Sequence, residues 1–404
     1  MNVLILGGSG RQAESIVLDL LQVDTDNISE ITLASIEREA LKARVAQLRS
    51  SKVKWEVIDI TDNHALVKLM KKHGLVFNAA STPTVPLAVK AALEAGVNLA
   101  TLEGLDQHMV VPEAPCDEFG FVDESYRAEL DEQFRQAGIV GILGWGYVPG
   151  TANVIGRMLG DQFDTINSMT WYFGAAQTGD KLFFSETPRE TIWLHRQPGV
   201  ILQDGRYERV PPKSGRETVS FPAPLGEVEV QHMPLMSTVP VFANRYKSKN
   251  IQNIEVKLGY WRGYLEKMDF LEGVGLLDLD AKDIGDAHVA PADVFLAGPH
   301  VADKRGAHLL DYGCLRLVVD GVIGDHKVAY TGDVLARPLR NLAAMQLMTG
   351  IPAAVGLQMM ATGELSKRGL YSTADDEVDP GRYFQELGRR GYSLVTTRVE
   401  TVVG

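Results

Sequence analysis

The chain of 404 residues is short of cysteine, of positive charge and of long apolar runs. Its two cysteines, Cys116 and Cys314, lie far apart in sequence, which excludes a disulfide-framed scaffold. One bridge between them stays open as a reading, but two free thiols in a reducing cytoplasm are the expectation. Lys plus Arg number 40 against 52 Asp plus Glu, a formal net charge of −12, so the chain has no general basic face for nucleic acid or an anionic membrane. Local basic pockets remain open. No uninterrupted apolar run approaches the ~18 residues of a membrane span. The first residues lack a basic segment and run straight into a strand, so no signal peptide is expected. The nine histidines are scattered, without CxxC or HExxH spacing, and no metal site is expected. No GxSxG follows a strand, which removes the usual signature of serine hydrolysis. There is neither an internal repeat nor a low-complexity tract.

What is present begins at the N-terminus. In "NVLILGGSGRQAESIVLDLLQ", four aliphatic residues, Val3 to Leu6, precede three glycines, and Ala13, Ile16, Val17, Leu20 and Leu21 then recur at helical spacing. This is a strand, a turn and a helix. The turn reads as Gly8-x-Gly10-x-x-Ala13 or as Gly7-x-x-Gly10-x-x-Ala13, and both spacings suit the first crossover of a dinucleotide-binding fold. Glycine lets the backbone turn tightly and approach a pyrophosphate, while the helix start favours the anion. Gly7, Gly8, Ser9, Gly10, Arg11, Gln12 and Ala13 are therefore the expected cofactor cradle; the other reading is a glycine-rich loop without a ligand.

Strand-like runs continue with Ile31 to Ser35, "VKWEVIDI" ending near Asp59, "GLVFNAAS", "VNLATL" and "IVGIL", with helical patterns between them. Ser81 and Pro83 stand where a helix should start, and Gly96 where it should end. Six strands alternating with helices predict an α/β, Rossmann-like doubly wound parallel sheet over residues 1–150. Beyond Gly150 the alternation is lost. Runs such as "SMTWYFGA", "NIEVKLGYW" and "LRLVVDG" among Pro/Gly-rich loops predict a second α+β domain, 151–336, on a mixed or antiparallel sheet. Residues 337–404 open on a long apolar stretch interrupted at Gly350 and Pro352, expected as a helical return onto the first domain.

The end of the second strand reads the adenosine ribose: a carboxylate there accepts from the 2′-hydroxyl and repels a 2′-phosphate. This chain has Ser35 at that point, with Arg38 and Lys42 close behind, which favours NADP(H) and leaves NAD open because Glu37 lies near. Ser35 also suits a helix cap and Arg38 a solvated cation. Asp59 fits an adenine-edge contact or a loop cap. Asn78, Ala79 and Ala80, at the end of the fourth strand, complete the expected cofactor lining.

Several stretches together resemble the saccharopine dehydrogenase-like reductase family, most closely its lysine 6-dehydrogenase branch. They are "NVLILGGSGRQA", "FNAAS", "GWGYVPGTAN" (Gly144 to Asn153), "FSETPRETI" (Phe184 to Ile192), "YWRGYLEK" (Tyr260 to Lys267) and "TGIPAAVGLQMMATGELSKRGLY" (Thr349 to Tyr371), spread over nearly the whole chain. The resemblance implies a two-domain enzyme that moves a hydride between NAD(P) and the C–N bond of an amino acid or its imine. It implies a second domain that covers the nicotinamide and serves in a homodimer. The chain departs from the family in carrying Gly144 two residues before the glycine of Gly146-x-x-Pro149-Gly150, where an acid is common. Reductive condensation of the opine or polyamine type, and a non-catalytic NADP(H)-binding sensor, stand as alternatives.

Hydride chemistry belongs to the cofactor, so the protein must bind, orient, exclude water and manage one proton. A proton-managing group should sit beyond the carboxyl ends of the strands. Glu103 after the fifth strand and Tyr147 after the sixth are the catalytic candidates, set against a solvated acid and an aromatic plug; His108 is a third, weaker one. Arg189, Arg262 and Glu266, in the resemblance segments, are expected to meet the substrate's carboxylate and ammonium, or to form surface ion pairs. Trp171, Phe173, Tyr260, Trp261 and Tyr264 read as sheet core rather than a stacking cage.

Overall fold

A run of buried aliphatic residues followed by an amphipathic segment is the repeating theme of the first half of the chain. It builds β1 (Asn2–Leu6), α1 (Arg11–Val23), β2 (Glu30–Ser35), α2 (Arg38–Leu48), β3 (Val53–Val57), α3 (Asn63–Met70), β4 (Leu75–Asn78), α4 (Val85–Ala95), β5 (Asn98–Thr101), α5 (Glu124–Ala137), β6 (Val140–Leu143) and α6 (Thr151–Gly160). This computed structural model describes residues 1–23, 26–106, 110–176, 188–234, 237–298, 312–339, 342 and 344–402. The theme then changes to β7 (Thr165–Ala176), α7 (Pro188–Leu194), β8 (Gly199–Gln203), β9 (Arg206–Val210), β10 (Glu217–Phe221), β11 (Gly226–His232), α8 (Thr238–Arg245), β12 (Asn253–Leu258) and α9 (Tyr264–Gly273). A short hairpin of β13 (Lys282–Ile284) and β14 (Ala287–Val289) precedes α10 (Pro291–Leu296), β15 (Tyr312–Ile323) and β16 (His326–Ala336). The chain closes with α11 (Ala344–Ala361), β17 (Gly369–Ser372), α12 (Pro380–Arg389) and β18 (Ser393–Val402).

Two compact units result, one of residues 1–161 with 346–390, the other of 162–345 with 391–404. The first holds a seven-stranded sheet in the order β3-β2-β1-β4-β5-β6-β17, parallel throughout. Strand order reverses at β1, between β2 and β4, and a doubly wound sheet opens a crevice at such a reversal. Val3 to Leu6 and Leu75 to Asn78 are all buried, as central strands covered on both faces must be. Helix ends follow local chemistry: Asp62 accepts from the Ala65 N–H at the start of α3, and Gly96 takes φ +67° to end α4.

The second unit holds a nine-stranded mixed sheet. Its main path runs β10-β11-β12-β7-β15-β16-β18, and a hairpin of β8 and β9 joins through β12. Only the β12–β7 pair is parallel; the others are antiparallel. Trp171 and Phe173 lie in its core, Trp171 with its ring centroid 4.9 Å from that of Phe242.

Some expectations need correction. The parallel sheet has seven strands rather than six, because β17 in the C-terminal return pairs with β6. Residues 391–404 belong to the second unit, where β18 pairs with β16. The interruption expected at Gly350 and Pro352 does not break α11, which runs through both. Proline in a helix interior costs about 3 kcal/mol. Leu347, Met348, Ile351, Val355, Leu357 and Met359 are all buried there, at about 1.5–3 kcal/mol each, so burial outweighs it. Ser81 starts a 3₁₀ turn, Thr82–Thr84, and its side chain makes no cap hydrogen bond.

Candidate functional site

In the first unit, the loops after β1 to β6 lie at the carboxyl ends of parallel strands, and the expected cofactor and catalytic residues fall at these ends or just beyond them. The glycine turn is held from two sides. Gly8 N–H donates to Ala34 O at 2.9 Å and Gly10 N–H to Gly7 O at 2.9 Å. A Cβ on Gly7 would lie 2.7 Å from Ala80 N, and one on Gly8 would lie 2.6 Å from Leu33 Cβ. Gly7 also has φ +74°, which favours glycine. The Gly8 amide is thus bonded to β2 and the Gly10 amide within the turn. A diphosphate would draw its donors from the start of α1, where a helix presents N–H groups toward an anion.

These residues fit a dinucleotide. At Gly10 an added Cβ would press on Gly7 O at 3.0 Å, tighter than an ordinary contact, but would meet no other atom within 4 Å beyond its chain neighbours, which leaves room there for an approaching ligand. Gln12, one residue into α1, buries an amide oxygen with no hydrogen-bond partner. Ala13 is fully buried, as close packing of helix on strand requires. Asn78 is buried, receives the Ala80 N–H on Oδ1 at 3.2 Å and donates to Thr84 Oγ1 at 3.0 Å. That shapes the Ala79–Ala80 backbone against Gly7.

At the end of β2, Ser35 does not cap α2; Glu37 stands at the cap position. Ser9 Oγ lies 3.0 Å from Ser35 Oγ and donates to Glu37 Oε2 at 2.6 Å, while Glu37 N–H donates to Ser35 Oγ at 3.3 Å. Arg38 and Lys42 lean over the Trp55 ring, 5.7 and 5.9 Å from its centroid. Asp59 is turned inward on its own loop, accepting from Thr61 N–H and Oγ1–H, and these bonds hold its carboxyl below the usual range.

Glu103 is half-buried; its carbonyl accepts from Thr101 Oγ1 at 2.5 Å and from Gly144 N–H at 3.2 Å. The loop after β5 is thereby tied to the loop after β6, which carries buried Tyr147. Gly144 has φ +69°, and a Cβ there would lie 2.8 Å from Pro149 Cγ. Backbone geometry therefore accounts for the missing acid at this position. Sequence reasoning missed Asp106, in the same loop as Glu103, whose carboxyl is pushed up by desolvation with Arg127 pulling it down. Its only signal was its place after a parallel strand. His108 lies outside the described residues.

In the second unit, Arg189 is exposed and pairs with Asp293, also donating to Leu279 O at 3.4 Å. Arg262 and Glu266 are exposed at the start of α9. Tyr264 is buried against Tyr260 and Trp261, with centroids 4.6 and 5.4 Å away, and burial pushes its hydroxyl pKa well up. The first part of the "FSETPRETI" segment, through residue 187, lies outside the described residues.

His195 was not singled out by sequence. It lines a cavity of about 40 Å³ with Thr191, Gln231, Tyr260, Tyr264 and Leu265, and its Nδ1 is 3.1 Å from Gln231 Nε2. Burial first and Lys213 next push its pKa down to about 4. Ligand atoms of His195, Asp269 and Glu272 lie within 4.8 Å of one another. The Lys213 ammonium bonds both carboxylates, one at 3.1 Å, and so already supplies the cation there.

Residues 3–142 match the family model described as the saccharopine dehydrogenase NADP binding domain. Over 382 residues the chain is 24% identical to carboxyaminopropylagmatine dehydrogenase of Synechocystis, covering 91% of this chain and 90% of the relative. It is 26% identical to carboxynorspermidine synthase of Vibrio cholerae, over 94% and 93%. Saccharopine dehydrogenase (L-Glu forming) of Saccharomyces cerevisiae has the same fold, with a TM-score of 0.76, 18% identity, and 98% and 99% of the two chains covered. Among the described residues, no helix is long and apolar enough to cross a membrane.

Proposed function

From the premise that this chain carries the NADP-binding domain of the saccharopine dehydrogenase family, we propose that it is an NAD(P)-dependent oxidoreductase acting on the C–N bond of an amino acid or its imine. The observation that carries the reading is the glycine turn seated at the strand-order reversal of a seven-stranded parallel sheet. NADP(H), when bound, supplies or accepts the hydride.

The rest falls to the chain's own residues. Gly7 to Ala13 hold the diphosphate, with Gly7 and Gly8 permitting the tight turn, Gly10 leaving room for the approach and the first turn of α1 donating to it. Asn78, Ala79 and Ala80 line the same crevice. Glu103 and Tyr147, beyond β5 and β6, are the groups proposed to hold the proton that an imine gains as it becomes an amine. Arg262 and Glu266 are proposed to meet the substrate's carboxylate and ammonium, and Arg189 to exchange Asp293 for a carboxylate.

Reductive condensation, in which an amine and an aldehyde lose water to an imine that is then reduced, is the direction favoured by the full-length likeness to the Vibrio synthase. The non-catalytic sensor reading rests on the absent acid at Gly144, a position where a φ of +69° favours glycine. The same proposal includes a homodimer in the cytoplasm, the setting supported by two free thiols, Cys116 and buried Cys314.

The test is to follow NADPH absorbance while the purified protein meets paired panels of carboxylated amines and aldehydes, with mass spectrometry of products. A secondary amine formed at the expense of NADPH is expected, and Glu103→Gln or Tyr147→Phe should lower kcat by about 10²–10⁴-fold. Failure of the protein to bind either nicotinamide dinucleotide would overturn the assignment.

A further inference from the structure

Glu37 is a carboxylate that the fold draws back onto the glycine turn. It stands at the N-terminus of α2, yet its Oε2 receives the Ser9 hydroxyl at 2.6 Å, and its own N–H is tied to Ser35 Oγ at 3.3 Å. Ser9 in turn sits 3.0 Å from Ser35 Oγ. The end of β2 is therefore bridged to the turn by a negative charge. The neighbouring positive charges are aimed elsewhere: Arg38 and Lys42 rest over the Trp55 ring, and Lys42 also pairs with Glu39 at 2.8 Å. Ile36, between Ser35 and Glu37, is 67% exposed and adds no charge.

Resting on the cofactor reading above, we propose that Glu37 determines the choice between the two nicotinamide dinucleotides, restraining the preference for NADP(H) and admitting NAD(H). At the end of the second strand of such a fold lies the adenosine ribose. A carboxylate fixed there accepts from a 2′-hydroxyl, which is a donor, and repels a 2′-phosphate, which is an anion without a donor at neutral pH. Arg38 and Lys42 oppose it: released from Trp55, they pair with the 2′-phosphate. Selectivity is the difference between these opposed terms, and Glu37 is the one already in place. Two unit charges 4 Å apart change an affinity by about fivefold in bulk water and by about a thousandfold at an effective dielectric of 20. An exposed carboxylate at the crevice rim falls between these limits, at about ten- to a hundredfold.

The experiment is a fluorescence titration of the full chain with NADPH and with NADH, for the wild type, Glu37→Gln and Arg38→Ala. Glutamine keeps an oxygen that accepts from Ser9 and removes only the charge. The expected result is that wild type binds both, that Glu37→Gln tightens NADPH about tenfold or more while NADH changes by less than about threefold, and that Arg38→Ala weakens NADPH alone. Glu37→Ala, with circular dichroism to verify folding, should shift the ratio in the same direction. If both dinucleotides bind and the ratio stays within about twofold in the Glu37 variants, this proposal is overturned and the oxidoreductase reading stands. If wild type binds neither, both fall together.

Discussion

At the scale of single residues, two glycines three positions or fewer from one another have different jobs. Gly8 is pinned by β2, with Leu33 Cβ 2.6 Å from where its own Cβ would stand, so Gly8→Val should cost about 1–3 kcal/mol of stability through overpacking. Gly10 faces open space apart from Gly7 O at 3.0 Å. Gly10→Ala should therefore cost at most about 1 kcal/mol, as Gly7 O gives way, and weaken NADPH binding by about tenfold or more, because the methyl enters the diphosphate's approach. Comparing denaturation with fluorescence titration separates the two roles.

His195 provides a pH-dependent counterpart. Its folded pKa of about 4 lies below the ordinary 6.5, so as pH falls through that window the unfolded chain takes up a proton that the folded one refuses. Stability should drop between pH 6.5 and about 4 by up to about 3 kcal/mol, with no contribution above 6.5. Glu255, held down to about 2 chiefly by the hydrogen bond from His232, begins its own loss only below 4.5. Urea midpoints at three pH values, with and without His195→Gln, would check this; the variant should lose most of the slope above pH 4.5 and keep the part due to His73, whose pKa burial also lowers.

At the scale of elements, the C-terminal return is fastened to α1 at two points. Gly350 of α11 crosses α1 so closely that a Cβ would lie 1.8 Å from Ser15 Oγ, which itself donates to Gln12 O and Gln346 O. Just beyond the end of α12, Arg390 forms buried ion pairs with Asp19 and Glu386, each at 2.7 Å, and donates to Gln358 Oε1 at 2.7 Å. Removing Asp19 leaves the buried Arg390 with one carboxylate, Glu386, where it had two. Asp19→Ala is expected to cost about 3–5 kcal/mol, while Asp19→Leu with Arg390→Met should recover most of it, measured by chemical denaturation. None of this was legible beforehand. Asp19 and Arg390 are 371 residues apart, and nothing local in either helix names the other.

At the scale of the whole molecule, the chain leaves the first unit at Asp161 and re-enters it at Gln346. A fragment of residues 1–161 would lack β17, which pairs with β6, and also α11 and α12, so it should fail to give a cooperative melt by circular dichroism. The full chain at an NADPH concentration of 100 times Kd should gain about 2.7 kcal/mol, read as a rise in the melting temperature. The doubly wound class, its first six strands and the glycine turn were determined by sequence alone, because each rests on hydrophobic periodicity or backbone freedom within a short window. Tertiary structure alone decided that β17 would complete the sheet, that α11 would run through Pro352, that Glu37 would turn back onto Ser9, and that His195 would stay neutral beside Lys213. Those outcomes depend on burial and on the fields of residues remote in the chain, and a local pattern carries no record of either.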